Sequence, residues 1–297
     1  MKIALVGAGK MGLPMAQHLQ AAGHTLLVHD SSEPARARAQ AAGLRIAGGL
    51  AQALAGAEVV ISSLPHDAAL IAVAQDIAAH AAAGTVYVDT STVSLAASAQ
   101  AAAACAAGGI AHVRATVSGN NKMAEAAQLT VMASGPEDAY ARVKPLLATF
   151  GPNQFYLGTG EQARLMKLIV NLMIASTSGM LSEALALGQK GGLDWRQMFD
   201  VIGASAVGSP IVKAKAVQLR EHDYTPTFTV GQMQKDVDLM LAAGAELHVP
   251  LALTAHVSQL LHAAAAQGEG ELDYAAIIRA VGRSAGLAVP PARNDAA

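Results

Sequence analysis

Lys2-Ile3-Ala4-Leu5-Val6-Gly7-Ala8-Gly9-Lys10-Met11-Gly12-Leu13-Pro14-Met15-Ala16 carries a short apolar run into a glycine-rich turn and out into an alanine-rich helical pattern. Lys2–Val6 has the composition of a strand, and Met11, Met15 and Leu19 recur at four-residue spacing, which puts them on one face of a helix over Met11–Ala22 that Gly23 terminates. Between the two stands Gly7-Ala8-Gly9-Lys10-Met11-Gly12, a G-x-G-x-x-G placed after a strand and at the opening of a helix. In such a turn Gly7 permits the tight bend, Gly9 lets a pyrophosphate approach the backbone, and Gly12 lets helix and strand pack closely. The helix start offers free N–H groups to the phosphate. A glycine-rich turn with no ligand is the alternative; the agreement of position, strand and helix favours a dinucleotide. Asp30 ends the second strand pattern, eighteen residues after Gly12, where a carboxylate reaches the adenosine ribose hydroxyls and repels a 2′-phosphate. NAD is therefore favoured, while Arg36 and Arg38 on the next helix leave NADP open.

Working outward, β-branched runs alternate with alanine-rich stretches as far as Gly158. The predicted strands are Lys2–Val6, Thr25–His29, Glu58–Leu64, Thr85–Asp89, Ile110–Val117, Leu129–Ala133 and Gln154–Leu157. Strand and helix in regular succession predict an α/β fold, a Rossmann-type doubly wound parallel sheet with right-handed crossovers. Beyond Gly158 the pattern is helical, beginning with a long helix over Glu161–Gln189 closed by Gly191-Gly192. The expected organisation is a dinucleotide-binding domain over 1–160, an all-helical substrate and dimerisation domain over 161–289 joined by the long helix, and a disordered tail over 290–297.

Composition excludes several classes. A net charge of −2 over 297 residues gives no basic field, so neither nucleic acid nor an anionic membrane surface is an expected partner. The 53% hydrophobic content is inflated by alanine. The charge-free stretch Thr90–Val113 is rich in Ala, Ser and Thr, and Leu168–Ser182 is short of the roughly 20 residues of a spanning helix and carries Asn171. No membrane segment is expected. One cysteine, Cys105, allows no internal disulfide and fits a cytoplasmic protein. The ten histidines show no metal-ligand spacing, so no metal is implied, and neither Ser118 nor Cys105 has the surroundings of a nucleophile.

With Gly12-Leu13-Pro14-Met15-Ala16 added, the loop resembles the G-x-G-x-M-G-x-x-M-A signature of the β-hydroxyacid dehydrogenases, the family of 3-hydroxyisobutyrate, tartronate-semialdehyde and 6-phosphogluconate dehydrogenases. The resemblance covers nearly the whole chain. Ser63-Leu64-Pro65 is similar to the family's M-L-P turn beside the cofactor, and Asp89-Thr90-Ser91-Thr92 to its D-x-S-T segment near the nicotinamide. Ala115-Thr116-Val117-Ser118-Gly119-Asn120 resembles the substrate-binding D-A-P-V-S-G-G, with Arg114 in place of the usual Asp, Thr116 of Pro and Asn120 of the second Gly. Gly160-Glu161 through Lys167-Leu168-Ile169-Val170-Asn171 resembles the catalytic helix, and Lys235-Asp236 a late K-D pair. The resemblance implies cofactor contacts from Gly7, Gly9, Lys10, Met11, Gly12, Asp30, Leu64, Pro65, Thr92 and Lys235. It implies substrate contacts from Ser118, Gly119, Asn120 and Asn171, and a homodimer or homotetramer formed through the helical domain.

Lys167 and Asn171 are four apart on a helical segment and so share a side, one turn from each other. Among Leu165, Leu168 and Ile169 a lysine either snorkels to water or faces a polar cleft. With the other motifs beside it, Lys167 is expected to act as general acid/base, taking the proton of a substrate hydroxyl as hydride leaves for nicotinamide. A free lysine, with pKa near 10.4, is charged at neutral pH, so the role requires surroundings that favour the neutral amine. Ser118, Gly119 and Asn120 offer a hydroxyl, close backbone N–H groups and an amide, a set suited to a small carboxylate, although the same residues also make ordinary turns. Lys122 reads as a surface lysine. Lys235 reads as a group closing over the site, against a plain helix-surface pair with Asp236 or Asp238. The expected function is an NAD(P)-dependent oxidoreductase of a small 3-hydroxy acid. The rivals are an imine (C=N) reductase on the same plan, against which Lys167 argues, and a non-catalytic NAD-binding sensor.

Overall fold

The strand segments are continuous apolar runs, as befits strands covered on both faces: Val59–Ser62 and Val86–Asp89 are buried at every residue. In the structure, a computed structural model that describes residues 1–292, these runs order a seven-stranded sheet. Along the chain come β1 (Lys2–Val6), α1 (Gly12–Ala21), β2 (Thr25–His29), α2 (Glu33–Ala41), α3 (Leu50–Leu54), β3 (Val59–Ser62) and α4 (Asp67–His80). They are followed by β4 (Val86–Asp89), α5 (Leu95–Ala107), β5 (Ala111–Ser118), α6 (Asn121–Glu125), β6 (Thr130–Ser134), α7 (Glu137–Leu147) and β7 (Asn153–Tyr156). The helical half comprises α8 (Gln162–Lys190), α9 (Trp195–Ala204), α10 (Pro210–Leu219), α11 (Val230–Glu246), α12 (Ala252–Ala266), a 3₁₀ turn Tyr274–Ala276 and α13 (Ile277–Ser284).

The strand order is β2-β1-β3-β4-β5-β6-β7. The chain leaves β1 in one direction towards β2 and then crosses to β3 on the other side, so a crevice opens between β1 and β3 at their carboxyl ends, where open α/β sheets hold ligands. One core layer packs Met15 and Leu19 of α1 with Val143 and Leu146 of α7 against one face; another packs Leu70 and Ile77 of α4 with Ala101 and Cys105 of α5 against the other. The expected all-parallel pairing needs one correction, because β5 and β6 are antiparallel, with Arg114 opposite Ser134. The link between them, residues 119–129, holds only the short α6. That is less than the roughly dozen residues of a parallel crossover.

The chain divides into two compact units, Met1–Leu168 and Ile169–Ala297, and the division falls within α8. Among the described residues, α8 alone is long and apolar enough to cross a membrane, and nearly half of its apolar window (44%) is buried in the protein. Two of its polar side chains are used internally: Asn171 donates to Asp236 and the Ser182 hydroxyl to the Ser178 carbonyl. Of the tail expected to be disordered, the described part is held, since Arg279 donates to the Pro290 carbonyl (2.9 Å) and Ala292 is buried. Residues 293–297 lie outside the described residues.

The α5 face of the sheet has a polar layer. His112 stacks on Tyr87 with ring centroids 4.9 Å apart, and neither of its ring nitrogens has a hydrogen-bond partner. Burial first, and then the charges of Arg114 and Arg164, hold its pKa well below the usual value. An unfolded histidine takes up a proton below about pH 6.5 that the folded one refuses, so the stability His112 gives above that pH is lost as pH falls through it. His24, His29 and His222 are shifted the same way, so the comparison must be with a variant. His112→Phe, which preserves the stack, is expected to flatten the acid limb of a urea-denaturation stability curve by up to about 1.4 kcal/mol per pH unit. Parallel curves for the two proteins would contradict this.

Candidate active site

Five strands, β1 to β5, run parallel, so their carboxyl ends share one edge of the sheet. The residues singled out in the first unit follow those ends: Gly7–Gly12 after β1, Asp30 after β2, Leu64 and Pro65 after β3, Thr92 after β4, and Ser118, Gly119 and Asn120 at the end of β5. A cavity of about 200 Å³ lined by Lys2, Thr25, Arg45 and Gly56 lies at the opposite ends of β1 and β2, and none of the candidate residues borders it.

The first loop fits a dinucleotide. Gly7 has φ +93°, and a Cβ there would strike the Ser63 carbonyl; one on Gly12 would strike the carbonyl of Gly7. Gly9 faces open space, with nothing within 4 Å of a built Cβ. Met11, which caps α1, makes no side-chain cap bond, so no capping side chain covers the helix start, where Leu13 N donates to the Gly9 carbonyl (3.0 Å). Lys10 is exposed and Met11 partly buried. Asp30 is bonded on both oxygens, accepting from Ala8 N (2.7 Å) and Ser32 N (2.8 Å). It therefore fixes the glycine loop as well as ending β2. Arg36 Nη1 donates to the carbonyls of Asp30 (2.8 Å) and Ser31 (2.9 Å), and Arg38 is exposed.

The loops after β3 and β4 are tied together. Leu64 N donates to Ser91 Oγ (2.7 Å), Ser91 Oγ donates to Asp89 Oδ1 (2.6 Å), and Thr90 Oγ1 donates to the Ser62 carbonyl (2.7 Å). Ser62 Oγ also donates to Asp89, so the Tyr87 hydroxyl donates to Ser62 Oγ (2.7 Å). Asp89 has no exposed surface, and its charge is met by the buried guanidinium of Arg164. Four more interactions hold the entry into α8: Arg114 pairs with Glu161, Thr116 Oγ1 donates to the Ala163 carbonyl (2.9 Å), Ser134 Oγ donates to the Gly160 carbonyl (2.7 Å), and Ala163 N donates to Ser134 Oγ (3.1 Å). Lys167 stands on this anchored helix start, three residues beyond Arg164, partly buried. Burial pushes the Cys105 thiol up to about 12, so no thiolate forms there at neutral pH.

At the end of β5, Gly119 has φ +136°, and a Cβ would run into Leu129 and Met123. A backbone in this region suits glycine alone and leaves the chain uncovered beside partly buried Ser118. Asn120 caps α6 through its side-chain oxygen, which accepts from Met123 N (3.0 Å). Lys122 is exposed. In the second unit, Asn171 Nδ2 donates to Asp236 Oδ2 (2.6 Å) and Lys235 Nζ lies 3.0 Å from Asp236 Oδ1. Asp236 is 1% exposed. The structure thus brings Asn171 and Lys235 together on one buried carboxylate.

Two family models cover most of the chain. Residues 2–158 match the NAD-binding domain of 6-phosphogluconate dehydrogenase, and residues 161–281 match the NAD-binding region of NADP-dependent 3-hydroxyisobutyrate dehydrogenase. The chain belongs to the β-hydroxyacid dehydrogenase family. Its relatives within that family include 2-(hydroxymethyl)glutarate dehydrogenase of Eubacterium barkeri, 32% identical over 97% of both chains. Another is 3-hydroxyisobutyrate dehydrogenase of Pseudomonas aeruginosa, 33% identical over 93% of this chain and 96% of that one. Among solved structures, Mycobacterium tuberculosis 3-hydroxyisobutyrate dehydrogenase with L-serine superposes with a TM-score of 0.86, at 28% identity over 94% of this chain and 98% of the other. As a member of the β-hydroxyacid dehydrogenases the protein uses a nicotinamide cofactor.

Arg164 was not singled out by any motif, and its fork becomes visible only when β4 and α8 are brought together. The spacing of the motifs carried no signal for it, although a lone arginine at the start of an apolar helix, with Asp89 the one acidic residue in the β4 segment, is the kind of pair a buried-charge argument can find.

Proposed function

We propose that the protein catalyses the reversible, nicotinamide-dependent oxidation of a small 3-hydroxy acid to its semialdehyde or keto acid, with Lys167 as general acid/base. The coarser statement, an oxidoreductase that moves a hydride between nicotinamide and a hydroxy acid, follows from family membership. The observation that carries the finer reading is the anchored start of α8, which holds Lys167 one turn beyond the loop that follows β4. Both 2-(hydroxymethyl)glutarate and 3-hydroxyisobutyrate, for which two relatives are named, have one carbon between the hydroxyl-bearing carbon and a carboxylate.

When bound, the nicotinamide supplies the hydride acceptor in oxidation and the donor in reduction. Nζ of Lys167 takes the hydroxyl proton as the C=O forms, acting as the neutral amine, and returns it in reduction as the ammonium. Ser118 Oγ, the backbone beside Gly119, the Asn120 amide and Asn171 hold the substrate carboxylate, with Asn171 oriented by Asp236. Gly7, Gly9, Lys10, Met11 and Gly12 hold the pyrophosphate; Leu64, Pro65 and Thr92 flank the nicotinamide, and Lys235 closes over it. Asp30 at the ribose favours NAD over NADP through repulsion of a 2′-phosphate. The division of labour, 1–160 for the dinucleotide and 161–289 for substrate and self-association, belongs to the same proposal, as does a cytoplasmic location. A homodimer or homotetramer is supported by Met173, Met180 and Leu187, 59–76% exposed at seven-residue spacing along α8. Sedimentation velocity is expected to give a dimer or tetramer; a monomer at micromolar concentration contradicts it.

The test follows reduced-nicotinamide absorbance with NAD or NADP and a panel of 3-hydroxy acids. Turnover is expected with at least one member, and Lys167→Ala should lower kcat about a thousandfold. A Lys167→Ala enzyme at the wild-type rate contradicts the lysine's role; no turnover with reduced cofactor still tightly bound contradicts the substrate class and returns weight to a C=N reductase or a sensor. In the same assay Asp30→Asn, which keeps an acceptor for one of the two amides, should shift the NAD-to-NADP preference about tenfold towards NADP, roughly 1.4 kcal/mol. An unchanged ratio contradicts the role of the charge.

A further inference from the structure

Arg164 takes no part in the proton transfer just described, yet it is the largest fully buried side chain among the described residues. Its donors go to three different segments. Nε reaches Ser98 Oγ in α5 (3.1 Å), Nη1 reaches the Ser91 carbonyl (2.5 Å), and Nη2 reaches Asp89 Oδ2. Asp89 and Ser91 are in turn bonded to Ser62 and Leu64. One planar fork thus joins the first turn of α8 to the loops that carry Leu64 and Thr92.

We propose that Arg164 is a positioning residue: its fork sets the rotation of the first turn of α8 against the loops after β3 and β4, and so aims Nζ of Lys167. The inference rests on the reading of Lys167 as the proton-transfer group. A helix turns about 100° per residue and rises 1.5 Å, so Lys167 lies about one turn, roughly 4.5 Å, along the axis from the clamp and follows any twist of it. Thr116, Ser134 and Arg114 also hold the helix entry, but through Gly160, Glu161 and Ala163. Arg164 alone among these ties it to the loop bearing Thr92. A buried ion pair is not needed for stability as such, since apolar replacements of both partners are often neutral or better. What an arginine fork adds is direction, which a point charge such as lysine lacks.

The decisive comparison sets wild type beside Arg164→Lys, the double variant Arg164→Met with Asp89→Asn, and Lys167→Ala. The double variant removes both charges, so that neither is left buried alone. Each protein is assayed for kcat and KM on a hydroxy acid, for binding of reduced cofactor and for thermal midpoint, and those that keep Lys167 are assayed, free of cofactor, for the pH dependence of reductive methylation at Lys167 by mass spectrometry. Arg164→Lys and the double variant are expected to lose about thirtyfold or more in kcat, as misplacement by an ångström does. Binding of reduced cofactor, held by Gly7–Gly12 and Asp30, should change less than about threefold. The thermal midpoint of the double variant should stay near wild type, and the methylation profile of Lys167 should move in both. Wild-type kcat and an unmoved methylation profile in the double variant, or in Arg164→Lys if the double variant does not fold, overturn the inference. If Lys167→Ala keeps the wild-type rate, the reading of Lys167 fails instead, and the methylation profile still decides whether Arg164 orients that side chain.

Discussion

An ionised carboxylate with no solvent contact persists only where donors surround it, and removing its counter-charge costs about 3–5 kcal/mol. Asp89 is such a group, at the end of β4 in the middle of the sheet, with two hydroxyls on one oxygen and the Arg164 guanidinium on the other. The turn after β3, the loop after β4, the start of α5 and the first turn of α8 all meet on this ion pair. Every element assigned to nicotinamide or to proton transfer in the first unit therefore takes its geometry from one buried charge and its partner.

The next strand extends the arrangement. Arg114 is the register neighbour of Asp89 and pairs with Glu161, so the sheet presents charges of alternating sign to the segment that enters α8. In sequence, Arg114 and Thr116 look like alterations of a substrate-binding segment. In the structure both are buried and both hold the entry to α8, Thr116 through the Ala163 carbonyl. Asn120 caps α6 through its side-chain oxygen.

All seven strands and the long helix were legible because apolar runs and glycine stops are local signals. The direction of β6 was not, since a buried strand reads the same either way; the shortness of residues 119–129 was the clue. The hold on Pro290 and Ala292 was likewise hidden, because the tail's polar and proline-rich composition says nothing of Arg279 reaching back to it. The glycine loop and Asp30 stand at positions that spacing along the chain marks out, whereas Ser118 and Lys167 are candidates through the family resemblance. Arg164, the Arg114–Glu161 pair and Asp236 depend on contacts between residues 47 to 75 apart in sequence, and no spacing rule reaches that far. Asp236 was seen only as a partner for Lys235, whereas its burial and its bond to Asn171 make it the centre of that cluster.

The central claim, that the amine of Lys167 carries the proton, is tested most directly by chemical rescue. Lys167→Ala is assayed in the oxidation direction with increasing concentrations of small primary amines. Activity is expected to return in proportion to free amine and to rise with amine basicity, while quaternary ammonium ions of the same size, which carry neither a lone pair nor an N–H, have no effect. A variant that turns over at the wild-type rate without amine, or one that binds cofactor and substrate normally yet responds to no amine, would contradict it.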